Sequence, residues 1–247
     1  LDYLHLLADG RATDALLVPG VSTTSKALAA ADLPADASGA LLRSSTLTPL
    51  SDIEPVSEKT DADGTTTVTV TYRVGGHAGE TTFEVERDEQ EGGPLPRWRF
   101  AESPLAVIEL AVRGSMKFEV NGFAVDKRQV SPDGDDADPL APIPMLAFSP
   151  GLYSITVDTT ATRSPGVAVL SDTPLAEIPV SFQAEPTEAF IGVVQKEVDS
   201  FLAQCATQKV LQPTGCPFGY YVRNRIVEPP TWKIEENPVV SLEPDGA

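Results

Sequence analysis

Two cysteines, Cys205 and Cys216, have the residue type and spacing most suggestive of covalent chemistry in this 247-residue chain. Thioredoxin-type redox chemistry needs two intervening residues and a helix N-terminus that lowers the thiol pKa, whereas these two lie eleven positions apart. Cys205 is predicted near a helix C-terminus, where the dipole disfavours a thiolate. A metal site would need two further ligands, which the neighbouring sequence lacks. The turn-forming segment PTG at 213–215 favours a Cys205–Cys216 disulfide, and therefore folding outside the cytoplasm.

The two histidines and two acidic segments are weaker candidates for a metal site. His5 lies in an apolar helical pattern and His77 in a glycine-rich turn, so packing and solvent exposure explain them better than metal binding. TDADG (60–64) begins like an EF-hand loop, but Tyr72 occupies the position where calcium binding needs a bidentate Glu. DGDDAD (133–138) is interpreted as an exposed loop, with a weak cation site as the alternative. We predict no metal ion and no cofactor.

Charge and hydropathy exclude several kinds of partner. The chain has 36 acidic and 18 basic residues and a formal net charge of −18. Such a surface repels phosphate backbones and anionic lipids, so we expect neither nucleic-acid binding nor electrostatic membrane docking. No apolar run approaches the roughly 20 residues needed to span a bilayer, and no signal-peptide pattern is present. Because both ends fall next to predicted elements and no initiator Met is present, we expect a fragment of a longer protein.

A change of periodicity divides the first hundred residues. Residues 1–50 carry apolar residues at helical spacing. From GTTTVTVTYRVGG (64–76) to RWRF (97–100) the apolar residues recur with a period of 2. This period is typical of an antiparallel meander with one solvent-exposed face. Residues 1–104 are therefore predicted as an α+β domain with helices on a curved antiparallel sheet. The inward face is predicted to carry Val68, Val70, Tyr72, Phe83, Val85, Trp98 and Phe100.

Two further units are predicted in the second half. KFEVNGFAVD (117–126) is a hairpin with Asn-Gly in the turn, and together with later alternating segments it predicts a β-sandwich over 105–184. The clearest helical pattern in the chain starts at residue 185 and leads into the cysteine loop. Strands are then predicted at YYVRNRIVE (220–228) and PVVSLEP (238–244), so residues 185–247 form the start of a truncated third α+β unit.

Several of these segments carry a resemblance to known proteins. LADGRATDALLV (7–18), LLRSSTLTPLSDIEPV (41–56), VTVTYRVGG (68–76) and Trp98 together resemble the extracytoplasmic parts of actinobacterial single-span membrane proteins and lipoproteins of unknown function. The helical start on a twisted antiparallel sheet is similar to an NTF2-like fold. The combination of KFEVNG and FSPGLYSITV is similar to small β-sandwich modules, loosely of the PEGA type. The resemblance implies a location in the cell envelope and implies no catalytic residues.

An NTF2-like fold implies a conical pocket under the sheet. Tyr72, Phe83 and Trp98 are the candidate residues for a ligand pocket there. Of the inward residues only Tyr72 carries an ionisable group, and the sequence contains no nucleophile elbow, phosphate loop or kinase-type motif. We therefore predict a protein that is not an enzyme.

The resulting functional prediction is a non-enzymatic ectodomain of the cell envelope. It would be secreted, or anchored to the membrane through a segment missing from this sequence, and would scaffold or sense through an envelope protein, a cell-wall component or a small ligand. One alternative is a cell-wall glycan-binding module that uses Trp98, Trp232, Tyr220 and Tyr221. The other is a small-molecule enzyme in the NTF2-like cavity.

Overall fold

The computed structural model describes residues 1–88 and 97–244. It is a mixed α+β structure with antiparallel sheets, which confirms the predicted class. Two compact units are present: residues 1–159 with 164–184, and residues 160–163 with those from 185 onward. The first unit contains residues of the segments 1–104 and 105–184, and the second contains residues from 185 onward.

The chain begins with short helices, as the apolar spacing of residues 1–50 predicts. The first of them ends where Gly10 adopts a φ of +71°. The Thr24 hydroxyl caps a later helix by accepting a hydrogen bond from the Ala27 amide at 3.3 Å. The elements are α1 (Asp2–Ala8), α2 (Ala12–Ala15), α3 (Ser25–Ala30) and two single 3₁₀ turns at Gly39–Leu41 and Ser44–Thr46.

A four-stranded antiparallel sheet follows, in the order of the sequence, and confirms the predicted meander. Its strands are β1 (Leu50–Thr60), β2 (Thr66–Val74), β3 (His77–Asp88) and β4 (Arg97–Phe100). One face packs on α1 through Val70, Tyr72 and Phe83. The opposite face is polar: the hydroxyls of Thr69 and Thr82 are hydrogen-bonded at 3.0 Å. The alternation of apolar and polar residues therefore decides which face meets the helices.

The rest of the first unit consists of two further sheets around a second core. The predicted hairpin is confirmed, with Val120 paired to Phe123 across a turn in which Asn121 has a φ of +50°. The elements are β5 (Leu105–Arg113), β6 (Lys117–Val120), β7 (Phe123–Asp126), α4 (Lys127–Val130), a 3₁₀ turn at Gly134–Asp136, β8 (Ile143–Phe148), β9 (Gly151–Asp158), β10 (Thr162–Ser171) and β11 (Glu177–Gln183). The strands of this unit are ordered β10-β9-β6-β7 in one sheet and β11-β5-β8 in the other. One pairing, between β5 and β11, is parallel.

The second unit is built on one long helix. A two-residue strand, β12 (Glu185–Pro186), pairs with Thr162 and Arg163 and leads into α5 (Glu188–Ala206). The Thr187 hydroxyl caps this helix by accepting a hydrogen bond from the Phe190 amide at 3.2 Å. The predicted helix is thus present. Among the described residues, no helix is long and apolar enough to cross a membrane.

The strands predicted at 220–228 and 238–244 are wrong, since both segments are irregular. In the second segment, the Gln195 side chain donates to the Pro238 carbonyl and accepts from the Val240 amide, each at 2.9 Å. This side chain satisfies backbone groups that a partner strand would otherwise bind. In the first segment, Tyr221 and Val227 are exposed, so its apolar side chains cover no core.

Candidate functional site

An open cleft of about 770 Å³ lies in the first unit beside the start of α1. Its apolar surface comes from the helix-facing side of the four-stranded sheet, where successive strands contribute side chains of one face. We call this the apolar cleft. Its lining residues are Leu1, Asp2, Tyr3, Leu4, Pro19, Pro55, Glu58, Thr66, Val68, Val70, Phe83, Val85, Arg97, Trp98 and Phe100.

The helix that borders the cleft is shorter than the strands on which it packs. The seven-residue helix is about 10 Å long, whereas the nine-residue strand β2 extends for about 30 Å. Tyr72 and Val74, at one end of β2, are buried and lie outside the cleft, whereas Val68 is only partly buried and lines it.

Aromatic packing fixes the deep side of the apolar cleft. The Tyr3 ring meets Phe100 edge to face at 5.2 Å between centroids, and Phe83 at 6.2 Å. These separations are within the favourable range for aromatic pairs. The Tyr3 hydroxyl donates to the Ser149 carbonyl at 3.2 Å. Burial raises the pKa of Tyr3, so this hydroxyl stays protonated and engaged with the protein rather than with a ligand.

The charged groups of the apolar cleft lie on its rim. Asp2, Glu58 and Arg97 are all exposed. Trp98 stands beside them with 43% of its surface exposed. Among the described lining residues, the buried ones offer aliphatic and aromatic surface, with hydroxyls only from Tyr3 and Thr66. This arrangement suits the burial of an apolar group better than proton transfer.

The structure separates the three residues predicted to form a ligand pocket. Phe83 and Trp98 both line the apolar cleft, whereas Tyr72 lies in the buried core and does not line it. The Tyr72 hydroxyl accepts a hydrogen bond from Thr81 at 3.1 Å, and burial raises its pKa. The Tyr72 ring also covers Gly79, where an added Cβ would come within 2.6 Å of the ring.

Sequence reasoning missed the contributions of Pro19 and Glu58 to the cleft. Pro19 comes close because its carbonyl accepts a hydrogen bond from the Phe100 amide at 2.9 Å. Glu58 belongs to β1, whose residues after Ile53 are exposed and carry no clear alternation. The sequence could have predicted that Thr66 lines the cleft, because its spacing of two along β2 puts it on the same face as Val68 and Val70.

A second cleft of about 630 Å³ lies at the end of the same strands. We call it the polar cleft. Its residues come from the turn between β1 and β2 and from the ends of β3 and β4. The Arg99 guanidinium pairs with Glu86 at 2.5 Å, and the Arg87 guanidinium lies over the Trp98 ring, 5.6 Å from its centroid. The lining residues are Thr60, Asp63, Gly64, Thr66, Glu86, Arg87, Asp88, Trp98 and Arg99.

The acidic segments considered as cation sites have local structural roles. In the turn before β2, the Asp63 carboxylate accepts a hydrogen bond from the Thr65 amide at 3.0 Å. In the loop after α4, Asp138 accepts from the Leu140 amide at 2.8 Å. Lys127 is buried beneath this loop and donates to the Pro139 carbonyl. Within residues 1–88 and 97–244, no three His, Cys, Asp or Glu side chains form a group that could hold a metal ion.

The second unit contains the predicted disulfide, which is confirmed between Cys205 and Cys216. The Trp232 indole donates to the Val210 carbonyl at 2.8 Å and its ring packs on Phe218 at 5.0 Å. Trp232 is therefore half-buried and holds the cysteine loop together. Tyr220 and Tyr221 are exposed, at 62% and 75%.

No protein-family model, no curated protein and no solved structure matches this chain. The geometry of the two clefts and the disulfide are therefore the observations that bear on function.

Proposed function

We propose that this chain is a non-enzymatic ectodomain of the cell envelope that senses or scaffolds by holding an apolar group in the apolar cleft. The observation that carries the proposal is an open apolar surface on the sheet whose charged neighbours are confined to the rim. Its volume is within the range of about 300–1,000 Å³ found for small-molecule sites.

The cysteine pair supports the location. A structural disulfide persists in oxidising compartments and is rare in the cytosol. We place the protein in the actinobacterial envelope, either secreted or attached to the membrane. Its partner there would be an envelope protein, a cell-wall component or a small ligand.

The same proposal includes a finer description of the fold. The short helices packed on the first antiparallel sheet would form an NTF2-like arrangement, in which a cavity opens at the uncovered end of the sheet. The two sheets built from β5 to β11 would form a β-sandwich, loosely of the PEGA type. Both descriptions fit an ectodomain in which one part binds a ligand and another part acts as a spacer or docks on a partner protein.

Titration of the whole chain with an apolar fluorescent probe, anilinonaphthalene sulfonate, tests the binding proposal. We expect Val68→Phe, whose larger side chain would fill part of the cleft, to weaken probe binding at least tenfold. Thr82→Phe adds an exposed aromatic ring on the opposite face of the same sheet and serves as the matched control. Equal binding by the wild type and both variants would place the probe elsewhere and reject the apolar cleft as the site.

Fractionation of cells that express the full-length gene product tests the location separately. The chain is expected in the envelope fraction or the medium, with both cysteines blocked to thiol reagents. Recovery in the cytoplasm with two reactive thiols would contradict the proposed compartment.

A further inference from the structure

Exposed apolar side chains concentrate in the second unit. Among the described residues, fourteen large apolar side chains are exposed, and nine of them lie between residues 190 and 239. Five of these nine belong to the segment 207–227, which follows α5 and contains the second cysteine. They are Val210, Tyr220, Tyr221, Ile226 and Val227. A cluster of exposed apolar groups on a soluble protein indicates an interaction surface.

Contacts within the second unit hold the two halves of this segment side by side. The disulfide joins Cys216 to Cys205 in the last turn of α5. The Tyr220 amide donates a hydrogen bond to the carbonyl of Leu211 at 2.7 Å, next to Val210. The exposed side chains of Tyr220 and Val210 therefore belong to neighbouring stretches of backbone, which the crosslink ties to the helix.

The segment 207–227 is positively charged in a strongly acidic chain. It contains Lys209, Arg223 and Arg225 and no Asp or Glu, whereas the whole chain has a net charge of −18. All three cationic side chains are exposed. None of them forms an ion pair with a carboxylate in residues 1–88 and 97–244. Their charge is therefore available to an anionic partner, and long-range attraction favours the encounter.

The backbone of residues 221–227 is suited to a strand but is not paired as one. These residues form neither helix nor strand, and no backbone–backbone hydrogen bond joins them to the rest of the described chain. Tyr221, Val222, Ile226 and Val227 are of the aromatic and β-branched types that favour strands. An exposed segment of this composition, with N–H and C=O groups left unpaired, accepts a strand from another chain.

We propose that residues 220–227 are a docking site for an acidic, extended segment of a partner protein, which adds to them as a β-strand. Backbone hydrogen bonds supply the pairing, and Arg223 and Arg225 bind carboxylates of the partner. Tyr and Arg side chains are enriched at the positions that contribute most to protein–protein binding. The inference goes beyond the proposed function, since the site lies in the other unit and does not depend on a ligand in the apolar cleft.

An acidic peptide explains these features better than an anionic membrane does. A bilayer surface offers no N–H or C=O groups in strand geometry to the backbone of residues 221–227. The remainder of the chain contains all 36 acidic residues, so anionic lipid repels it. A single peptide strand contacts the basic segment alone and avoids this repulsion.

Binding of synthetic peptides to the whole chain tests the inference. The probes are a fluorescein-labelled peptide of alternating Glu and Val, the same peptide with Lys in place of Glu, and the Glu-Val peptide N-methylated at alternate backbone amides. Fluorescence anisotropy gives the dissociation constants. We expect the Glu-Val peptide to bind about tenfold more tightly than either of the others. Amide hydrogen exchange of residues 221–227 is expected to slow in its complex, since strand pairing protects N–H groups.

Two double variants remove the same charge at different places. Arg223→Gln/Arg225→Gln is expected to weaken binding of the Glu-Val peptide about tenfold. Lys26→Gln/Lys196→Gln removes two exposed cations outside the segment and is expected to leave the affinity unchanged. All four side chains are exposed, so circular dichroism should show the wild-type fold for both variants. Equal weakening by the two variants would show that only net charge matters and would overturn the docking site.

Other results would also reject the proposal. Equal binding of the Glu-Val and Lys-Val peptides would remove the role of the arginines, and equal binding of the N-methylated peptide would remove the strand. Binding to phosphatidylglycerol vesicles but not to the peptide would assign the surface to a membrane. Self-association that Arg223→Gln/Arg225→Gln abolishes would assign it to a second copy of the chain. If no peptide binds while the apolar cleft binds its probe, this inference fails and the proposed function stands.

Discussion

The Tyr3 hydroxyl in α1 donates a hydrogen bond to the carbonyl oxygen of Ser149, which lies 146 residues later in the chain. Tyr3 also packs on Phe100 of the first sheet, and Ser149 directly follows β8. The same buried cluster contains Leu105 and Phe148. This contact joins the segments predicted as two separate domains, and it fixes the helix that borders the apolar cleft.

Replacing Tyr3 by Phe is expected to lower the free energy of unfolding by about 1–3 kcal/mol, because the buried Ser149 carbonyl loses its hydrogen-bond donor. Urea denaturation followed by circular dichroism measures the change. Tyr221→Phe, at an exposed tyrosine, should leave the midpoint unchanged. Equal midpoints for wild type and Tyr3→Phe would show that this hydrogen bond does not stabilise the fold.

Stability is expected to fall as pH rises above about 10, the ordinary pKa of tyrosine in an unfolded chain. Burial raises the pKa of Tyr3 and of Tyr153, so the folded protein holds these protons after the unfolded chain has released them. Deprotonation therefore favours the unfolded state from about pH 10 up to the folded values. The free energy of unfolding measured in urea at several pH values should show a smaller slope for Tyr153→Phe, and the wild-type slope for Tyr221→Phe.

Gly20→Ala is expected to destabilise the first unit more than Gly10→Ala. Both glycines have positive φ, +90° and +71°, which costs an L residue roughly 1–2 kcal/mol. Only at Gly20 would the added Cβ collide with backbone, coming within 2.2 Å of the Phe100 carbonyl oxygen. Overpacking of this kind adds about 1–3 kcal/mol.

Thermal unfolding of the two glycine variants measures the difference. Gly20→Ala should also reduce probe binding, because Phe100 is part of the apolar cleft. Nothing lies within 4 Å of the Cβ position at Gly10, so that variant reports the backbone cost alone. Identical melting temperatures for the two variants would contradict the close approach at Gly20.

Loss of the disulfide is expected to destabilise the second unit by about 3 kcal/mol, because the crosslink closes a short loop and restricts the unfolded chain. Cys205→Ser/Cys216→Ser should unfold at lower urea when followed by Trp232 fluorescence in a Trp98→Phe background. Followed by Trp98 in a Trp232→Phe background, the first unit should keep its midpoint. A thiol count of two in the untreated wild type would contradict the bridge.

The Asn-Gly hairpin shows which features local sequence can predict and which it cannot. The turn was predictable because few residues tolerate the positive φ that this turn needs, and Asn121 and Gly122 both have it. The partners of the Asn121 side chain were not predictable. Its amide donates to the Thr46 carbonyl at 2.6 Å, and its oxygen accepts from the Ser154 amide at 2.8 Å. These partners come from segments that meet only in the folded chain.

The two predicted strands that are irregular in the structure show where local sequence predicts wrongly. The segments 220–228 and 238–244 contain aromatic and β-branched residues, but a strand also needs a neighbouring strand and a surface to cover. Near residue 238 the Gln195 side chain binds the backbone instead. Local composition therefore predicts a strand only where the rest of the fold supplies a partner.

The sequence by itself determined the helices, the meander, the hairpin and the cysteine bridge, because each depends on conformational preferences and spacings within a few residues. The tertiary structure decided that Tyr72 is core while Phe83 and Trp98 line a cleft. All three share one face by alternation, and they differ in what covers them: the Tyr72 ring lies over Gly79, Phe83 packs on Tyr3 of α1, and Trp98 remains 43% exposed. Coverage depends on the length and position of a distant element, and no periodicity within a strand contains that information.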